Sequence, residues 1–335
     1  MARSARQTAP TNRFYGYFAS GSNRVGEIRG IAAAGRWLGV AEPEVTATTE
    51  AELHQLAGRG VCLFVDSGAF SEVEFNAPHE CTKRCSKAKK PCIGEGNLPH
   101  PEHPENTFVV VREIRDEDWE RILALYERLA RSLGSALYVV APDRVGDQGV
   151  TADRLARYAD RVRKLRDLGA NVIVPIQRGA LSAERFDRKV ERLLGFADYV
   201  RGIPSKKGAT PVAELAAFVK GLRRRVARPR VHVLGKGLPY TKEAEAAAYA
   251  AALAGCEVTS DSVRICAICG EGRALWVEKR RVAAELGENL SRLSQEAYAE
   301  AIYRVFAAES NEPSPLHAQS DVSDEEFFAS LKLVA

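Results

Sequence analysis

The polar side chains Asp66, Asp143, Gln177, Lys236 and Asp261 carry the chemistry that this sequence can offer. Each one follows a short apolar run. Val61-Cys-Leu-Phe-Val precedes Asp66, Ala136-Leu-Tyr-Val-Val-Ala-Pro precedes Asp143, and Asn171-Val-Ile-Val-Pro-Ile precedes Gln177. Arg230-Val-His-Val-Leu-Gly leads to Lys236, Glu257-Val-Thr-Ser to Asp261, and Asp198-Tyr-Val-Arg to Gly202. Short runs rich in β-branched and aromatic residues read as buried strands. An acid delivered at the carboxyl end of such a strand is poorly solvated and rigidly held, and α/β folds tend to place chemistry there. Carboxylates, an amide and a lysine facing one mouth suit a polar, planar ligand. Asp and Gln side chains pair with the donor and acceptor edge of a purine-like base. One carboxylate can attack a sugar carbon whose leaving group is delocalised while a second shuttles the proton. Structural roles stay open for each residue taken alone. Asp66 suits a helix cap, Asp143 and Asp147 suit turns beside Pro142 and Gly146, Gln177 a loop amide and Lys236 a solvated charge.

The elements that must position these groups alternate. Strand candidates lie near residues 14, 37, 63, 138, 173, 200, 232 and 258. Helices over 24–34, 49–58, 116–133, 151–168, 182–194, 211–226 and 241–253 fill the intervals. Short apolar strands alternating with longer helices imply parallel strands joined by crossovers. Eight such strands predict an α/β fold, a (β/α)8 TIM-like barrel in which the carboxyl ends share one rim. No Gly-x-Gly-x-x-Gly follows the first strand, which disfavours a dinucleotide-binding sheet. The barrel is expected over 1–277, with an insertion at 74–110, and a C-terminal helical extension over 278–335.

The insertion breaks the rhythm. It holds His79, Cys81, Cys85, Cys92, His100 and His103 among Lys83, Arg84, Lys87, Lys89 and Lys90, with prolines throughout and no helical or strand periodicity. A long irregular loop of this kind is usually functional or disordered. A second cysteine group, Cys256, Cys266 and Cys269, flanks Asp261. Cys266-Ala-Ile-Cys269 is half a zinc site, to be completed by Cys256 and another ligand or by thiols of the insertion. His79, Cys81, Cys85 and Cys92 form an alternative tetrahedral set for a structural Zn2+, and reduced, partly buried thiols are the plain alternative.

Charge adds a partner. The net charge of +4 is mild, so its clustering matters more than its size. Lys83, Arg84, Lys87, Lys89 and Lys90, with Lys206 and Lys207 on a loop near the rim, are candidates for phosphate contact. Arg223-Arg224-Arg225 with Arg228 and Arg230 reads as a solvated face turned the other way. No apolar run reaches the roughly 18 residues of a membrane span, and the N-terminus carries no signal pattern. A cytoplasmic protein with reduced cysteines is expected.

These residues also resemble a known family. Val65-Asp66-Ser67-Gly68-Ala69-Phe70 is similar to the Asp-Ser-Gly-Gly-Phe motif of the tRNA-guanine transglycosylases, (β/α)8 enzymes that exchange guanine for a 7-deazaguanine without cutting the backbone. Ile176-Gln177-Arg178-Gly179 resembles their Val-Gln-Gly-Gly, Arg201-Gly202-Ile203 their glycine-rich loop, and Val233-Leu234-Gly235-Lys236-Gly237 their Met-Gly-Val-Gly. Ser260-Asp261-Ser262 stands where their late aspartate does, and the likeness spans roughly residues 60–265 in order. The strand-end set and the Asp-Ser form look closer to the deazapurine DNA-modification branch (DpdA type). The resemblance implies that Asp261 is the nucleophile on C1′ and Asp66 the general acid/base. It implies that Ser67, Gly68, Phe70, Asp143, Gln177, Gly202 and Lys236 contact the base. A 7-deazapurine substrate, DNA in preference to tRNA, and helper proteins of a modification system follow from it as expectations. A flipped-out or single-stranded nucleotide is required, because C1′ is out of reach in an intact stack.

Two departures stand out. The family's zinc set lies well after its nucleophile, whereas Cys266 follows Asp261 closely, and Ala69 replaces the second glycine of the first motif. Two other classes stay open. One is a barrel hydrolase using Asp66 and Asp261 on a nucleoside or sugar. The other is a zinc-stabilised nucleic-acid-binding subunit that has lost its chemistry.

Overall fold

The computed structural model describes residues 14–20, 24–33, 37–75, 108–204, 212–235, 255–262 and 273–294, with residues 251, 297, 300, 301, 303 and 304. Eight parallel strands close into a barrel: β1 (Phe14–Ala19), β2 (Trp37–Ala41), β3 (Leu63–Asp66), β6 (Leu137–Val140), β7 (Asn171–Pro175), β8 (Val200–Pro204), β9 (Arg230–Leu234) and β10 (Glu257–Ser262). Two short strands, β4 (Val73–Phe75) and β5 (Phe108–Val110), stand outside the ring. Around the ring the order is β1-β10-β9-β8-β7-β6-β3-β2, so β1 lies between the first motif's side of the barrel and β10. This is the (β/α)8 barrel expected from the alternation.

The two-residue period of each strand divides its side chains between two cores. Phe18, Phe64, Val140, Ile173 and Val200 fill the barrel interior, with Trp37, Tyr138 and Leu234 packed against them. Their alternates, among them Leu38, Val65, Val139, Val174 and Val233, face the surrounding helices. Those helices are α1 (Val25–Ala33), α2 (Ala47–His54), α3 (Asp116–Leu133), α4 (Gln148–Arg157), α5 (Ala159–Asp167), α6 (Ala183–Leu194) and α7 (Val212–Arg225). In α3 the buried residues Trp119, Ile122, Leu123, Tyr126, Leu129 and Leu133 recur at helical spacing and form the stripe laid on the sheet. Asp147 and Ser182 cap α4 and α6, their side chains accepting from Val150 N–H and Arg185 N–H.

Four expectations need correction. The helix read over 151–168 begins at Gln148 and is two helices, α4 and α5, broken at Tyr158. That residue buries its ring beside Trp119 and donates its hydroxyl to Asp116, which holds it out of helical conformation. The insertion is not irregular at its ends: β4 and β5 pair as an antiparallel ribbon from which residues 76–107 depart. The arginine run is not wholly solvated. Arg225 turns inward to Asp187 at 2.5 Å and Glu191 at 2.8 Å, joining the fully buried Arg201, while Arg223 and Arg224 stay exposed. Finally, α8 (Arg273–Leu286) begins before residue 277, so the expected boundary falls inside a helix.

Candidate active site

The rim begins at Asp66, the last residue of β3, paired in register with Ala41 of β2. The next two residues turn the chain away and leave the carboxylate at the mouth. Ser67 is fully buried, its hydroxyl accepting from Ala69 N–H at 3.3 Å. Gly68 has φ +75°, and a Cβ there would lie 2.7 Å from the Pro43 ring, so only glycine fits this turn. Burial raises the Asp66 carboxyl to about 6, and the charge of Asp261 adds to the shift against N–H groups of Gly68 and Ser67. Both acids lie late in strands of the same closed barrel.

Asp261 lies in β10 beside Phe18 of β1 and is almost buried. Donors converge on it. Gly235 N–H reaches Oδ1 at 2.7 Å, His232 Nε2 reaches the same oxygen at 3.2 Å, and the Ser20 hydroxyl reaches Oδ2 at 3.2 Å. Three such partners complement a carboxylate's charge and fix its plane. Ser20 has room because Gly39 of β2 has no side chain: a Cβ there would stand 2.1 Å from the serine Oγ. His232, Ser20 and Gly39 were not singled out from the sequence.

Asp143 sits three residues beyond β6, 3% exposed, with Oδ2 accepting from Gln177 Nε2 at 2.8 Å. Its other oxygen is buried and has no partner among the described residues. Burial, then the charge of Asp66, raises this carboxyl to about 7. Gln177 was expected to offer its amide to a base. Instead its oxygen accepts from Gly146 N–H at 2.9 Å while its nitrogen serves Asp143, so the amide orients the acid. The Asp143 backbone is clamped in turn: Arg154 of α4 donates to its carbonyl and pairs with both oxygens of the buried Glu72, at 2.7 Å each. Gly202 of β8 lets the neighbouring strands pack closely, since a Cβ there would lie 3.0 Å from Ile173 and 3.1 Å from Leu234 and the Pro175 backbone. Phe70, just past the first motif, is 48% exposed, in keeping with a stacking surface rather than a core position.

The rest of the expected set divides. Lys236, Lys206, Lys207, Lys83, Arg84, Lys87, Lys89 and Lys90 lie outside the described residues, as do His79, Cys81, Cys85, Cys92, Cys266 and Cys269. Cys256 is described. It is fully buried in the apolar core at the amino end of β10, away from the rim, and burial pushes its thiol up to about 11. Among the described residues no group of three or more His, Cys, Asp or Glu could hold a metal ion. No described helix is long and apolar enough to cross a membrane.

The strand ends offer a set of complementary acids. One is supplied with donors and ordered, one is raised to about 6, and one at about 7 is buried and held by Gln177. A nucleophile, a proton carrier and a hydrogen-bonding anchor can be drawn from them.

No family model matches the chain, and no curated protein aligns with it. Solved structures of similar shape include a protein provisionally assigned as a fructose-1,6-biphosphate aldolase, from Coccidioides immitis. It is 11% identical with a TM-score of 0.42, over 89% of this chain and 91% of that one. Another is 3-dehydroquinate dehydratase from Geobacillus kaustophilus, 15% identical with a TM-score of 0.42, over 74% of this chain and 81% of that one.

Proposed function

We propose that this protein is a base-exchange transglycosylase. It replaces guanine by a 7-deazaguanine base in nucleic acid, DNA rather than tRNA. The observation that carries the reading is the placement of Asp66 and Asp261 late in β3 and β10 of one closed barrel, with Asp66 raised to about 6 by burial and by the charge of the other acid. In the first half-reaction Asp261 attacks C1′, the C1′–N9 bond breaks toward the base, and protonated Asp66 supplies the proton the base needs. In the second, Asp66 takes a proton from the incoming base as its nitrogen displaces the aspartyl oxygen. Asp143, which Gln177 keeps in plane, serves the base edge.

Incubation with radiolabelled guanine and DNA or tRNA tests the reading. Label entering polymer, lost in Asp261→Ala, is the expected result, with DNA the better acceptor. Free base released without incorporation points to hydrolysis instead, and neither outcome points to a binding protein. A covalent adduct with an oligonucleotide, stable to denaturation, identifies the attacking residue.

A further inference from the structure

Below the rim, a histidine is built into the wall in a way that the base-exchange steps above do not use. His232 of β9 is fully buried. Its ring stacks on Phe64 at 5.0 Å with 17° between planes and lies 5.9 Å from Phe18, so it cannot turn within the packed interior. Nδ1 meets the Thr259 hydroxyl at 2.8 Å, and Nε2 meets Asp261 Oδ1 at 3.2 Å. An ionised carboxylate only accepts, so Nε2 carries the hydrogen, and in the neutral ring Nδ1 accepts from the Thr259 hydroxyl. Oδ1 thus takes two donors from rigid elements, His232 and Gly235 N–H at 2.7 Å. Oδ2 takes one, at 3.2 Å, from the Ser20 hydroxyl, which leaves its second acceptor site without a donor among the described residues.

We propose that His232 is a positioning residue for Asp261, holding Oδ1 in place so that Oδ2 is the oxygen that bonds to C1′. This rests on the base-exchange reading. As Oδ2 gives its electron pair to C1′, the C1′–N9 pair leaves with the base, and Oδ1 becomes the carbonyl oxygen of the glycosyl ester. When the incoming base attacks, the C1′–Oδ2 pair returns to the carboxylate. The charge that reappears on Oδ1 meets two donors already aimed at it. The Thr259 hydroxyl, which can donate as well as accept, satisfies Nδ1 in that tautomer and holds the ring in plane.

Two variants of the full chain test this. His232→Leu keeps an apolar side chain of comparable volume and removes the donor. His232→Gln restores an N–H near the place of Nε2. We expect His232→Leu to slow label exchange about 100-fold through kcat with KM for guanine unchanged, and His232→Gln to recover about tenfold. Equal rates for wild type and His232→Leu, a loss confined to KM, or a folded His232→Gln no better than His232→Leu would overturn the proposal. A second readout does not depend on exchange: 15N resonances of the His232 ring, followed in wild type and Asp261→Ala. A displaced Nε2 resonance supports the contact and an unmoved one overturns it, whether or not His232→Leu folds. Wild-type protein that exchanges no label refutes the base-exchange reading itself, and the ring resonances then decide the His232–Asp261 contact alone.

Discussion

Adding a single methyl group at Gly39 should reach Asp261 without touching it. A Cβ there would lie 2.1 Å from Ser20 Oγ and 2.9 Å from both Cα and Cβ of Ser20. Carbon atoms prefer separations of about 3.5–4.0 Å. Rotation of the serine relieves the first overlap, but the overlap with Cα is against backbone, so β1 and β2 must part. Overpacking of this kind costs about 1–3 kcal/mol. Rotation also takes the hydroxyl from Asp261 Oδ2, which it now meets at 3.2 Å. A hydrogen bond to a charged group contributes about 1.5–3 kcal/mol. If that contribution is realised in the transition state, turnover falls roughly 10–150-fold. Urea denaturation and label exchange measure the two losses separately. Ser20→Ala should lose turnover while keeping its denaturation midpoint. Gly39→Ala should lose both, and Gly39→Ala with Ser20→Gly should regain only part of the midpoint, because the overlap with Cα persists, and none of the turnover. A Gly39→Ala protein with wild-type midpoint and turnover, or a double variant that regains turnover, would refute the argument.

Other consequences are as direct. With Asp66 raised to about 6, release of guanine in the first half-reaction should decline as pH rises through about 6. Asp66→Asn should abolish that limb and cost about 10²–10⁴-fold in a single-turnover assay; a variant retaining the limb would assign the proton elsewhere. Asp143 stands at about 7 when folded against an ordinary 3.8, so the native state binds the extra proton between those values. Its stabilising effect is complete below about 4 and lost as pH rises through about 7. Asp143→Asn still accepts from Gln177, and in denaturant titrations it should gain on the wild type at pH ~8 but not at pH ~4; the reverse order would contradict the burial argument. Glu72 has no exposed side chain and pairs with Arg154 through both oxygens. Glu72→Gln should cost about 3–5 kcal/mol of stability, and an unchanged midpoint would show that the pair contributes nothing.

The barrel was legible because its strands are short, apolar and regularly spaced, and helices such as α3 carry an unambiguous stripe. The rim acids were legible for the same reason: a charge directly after an apolar run has few other uses. Residues that act through distant partners were not. His232 stands in a strand that alternates inward and outward, and its meaning depends on Asp261, 29 positions away. Ser20 is 241 positions from the carboxylate it serves, and Glu72 is 82 from Arg154. Gly39 has no signal of its own, since only the neighbouring strand shows why a side chain would not fit. Local competition misled the reading twice. Tyr158 interrupts a run with good helical periodicity because its ring and hydroxyl are both engaged elsewhere. The strands β4 and β5 are too short for alternation to register and become strands through their partners.

That ribbon has a consequence for how the molecule can change. Phe75 and Phe108 face each other across it, so the chain that departs after β4 comes back one strand spacing away, about 5 Å. Topologically, whatever hangs between them is a graft on a closed stem. Joining the stem's tips with a two-residue turn would remove no barrel strand, no crossover and none of the rim acids. The length and composition of residues 76–107 can thus change, by drift or by engineering, without altering the strands that carry the rim acids.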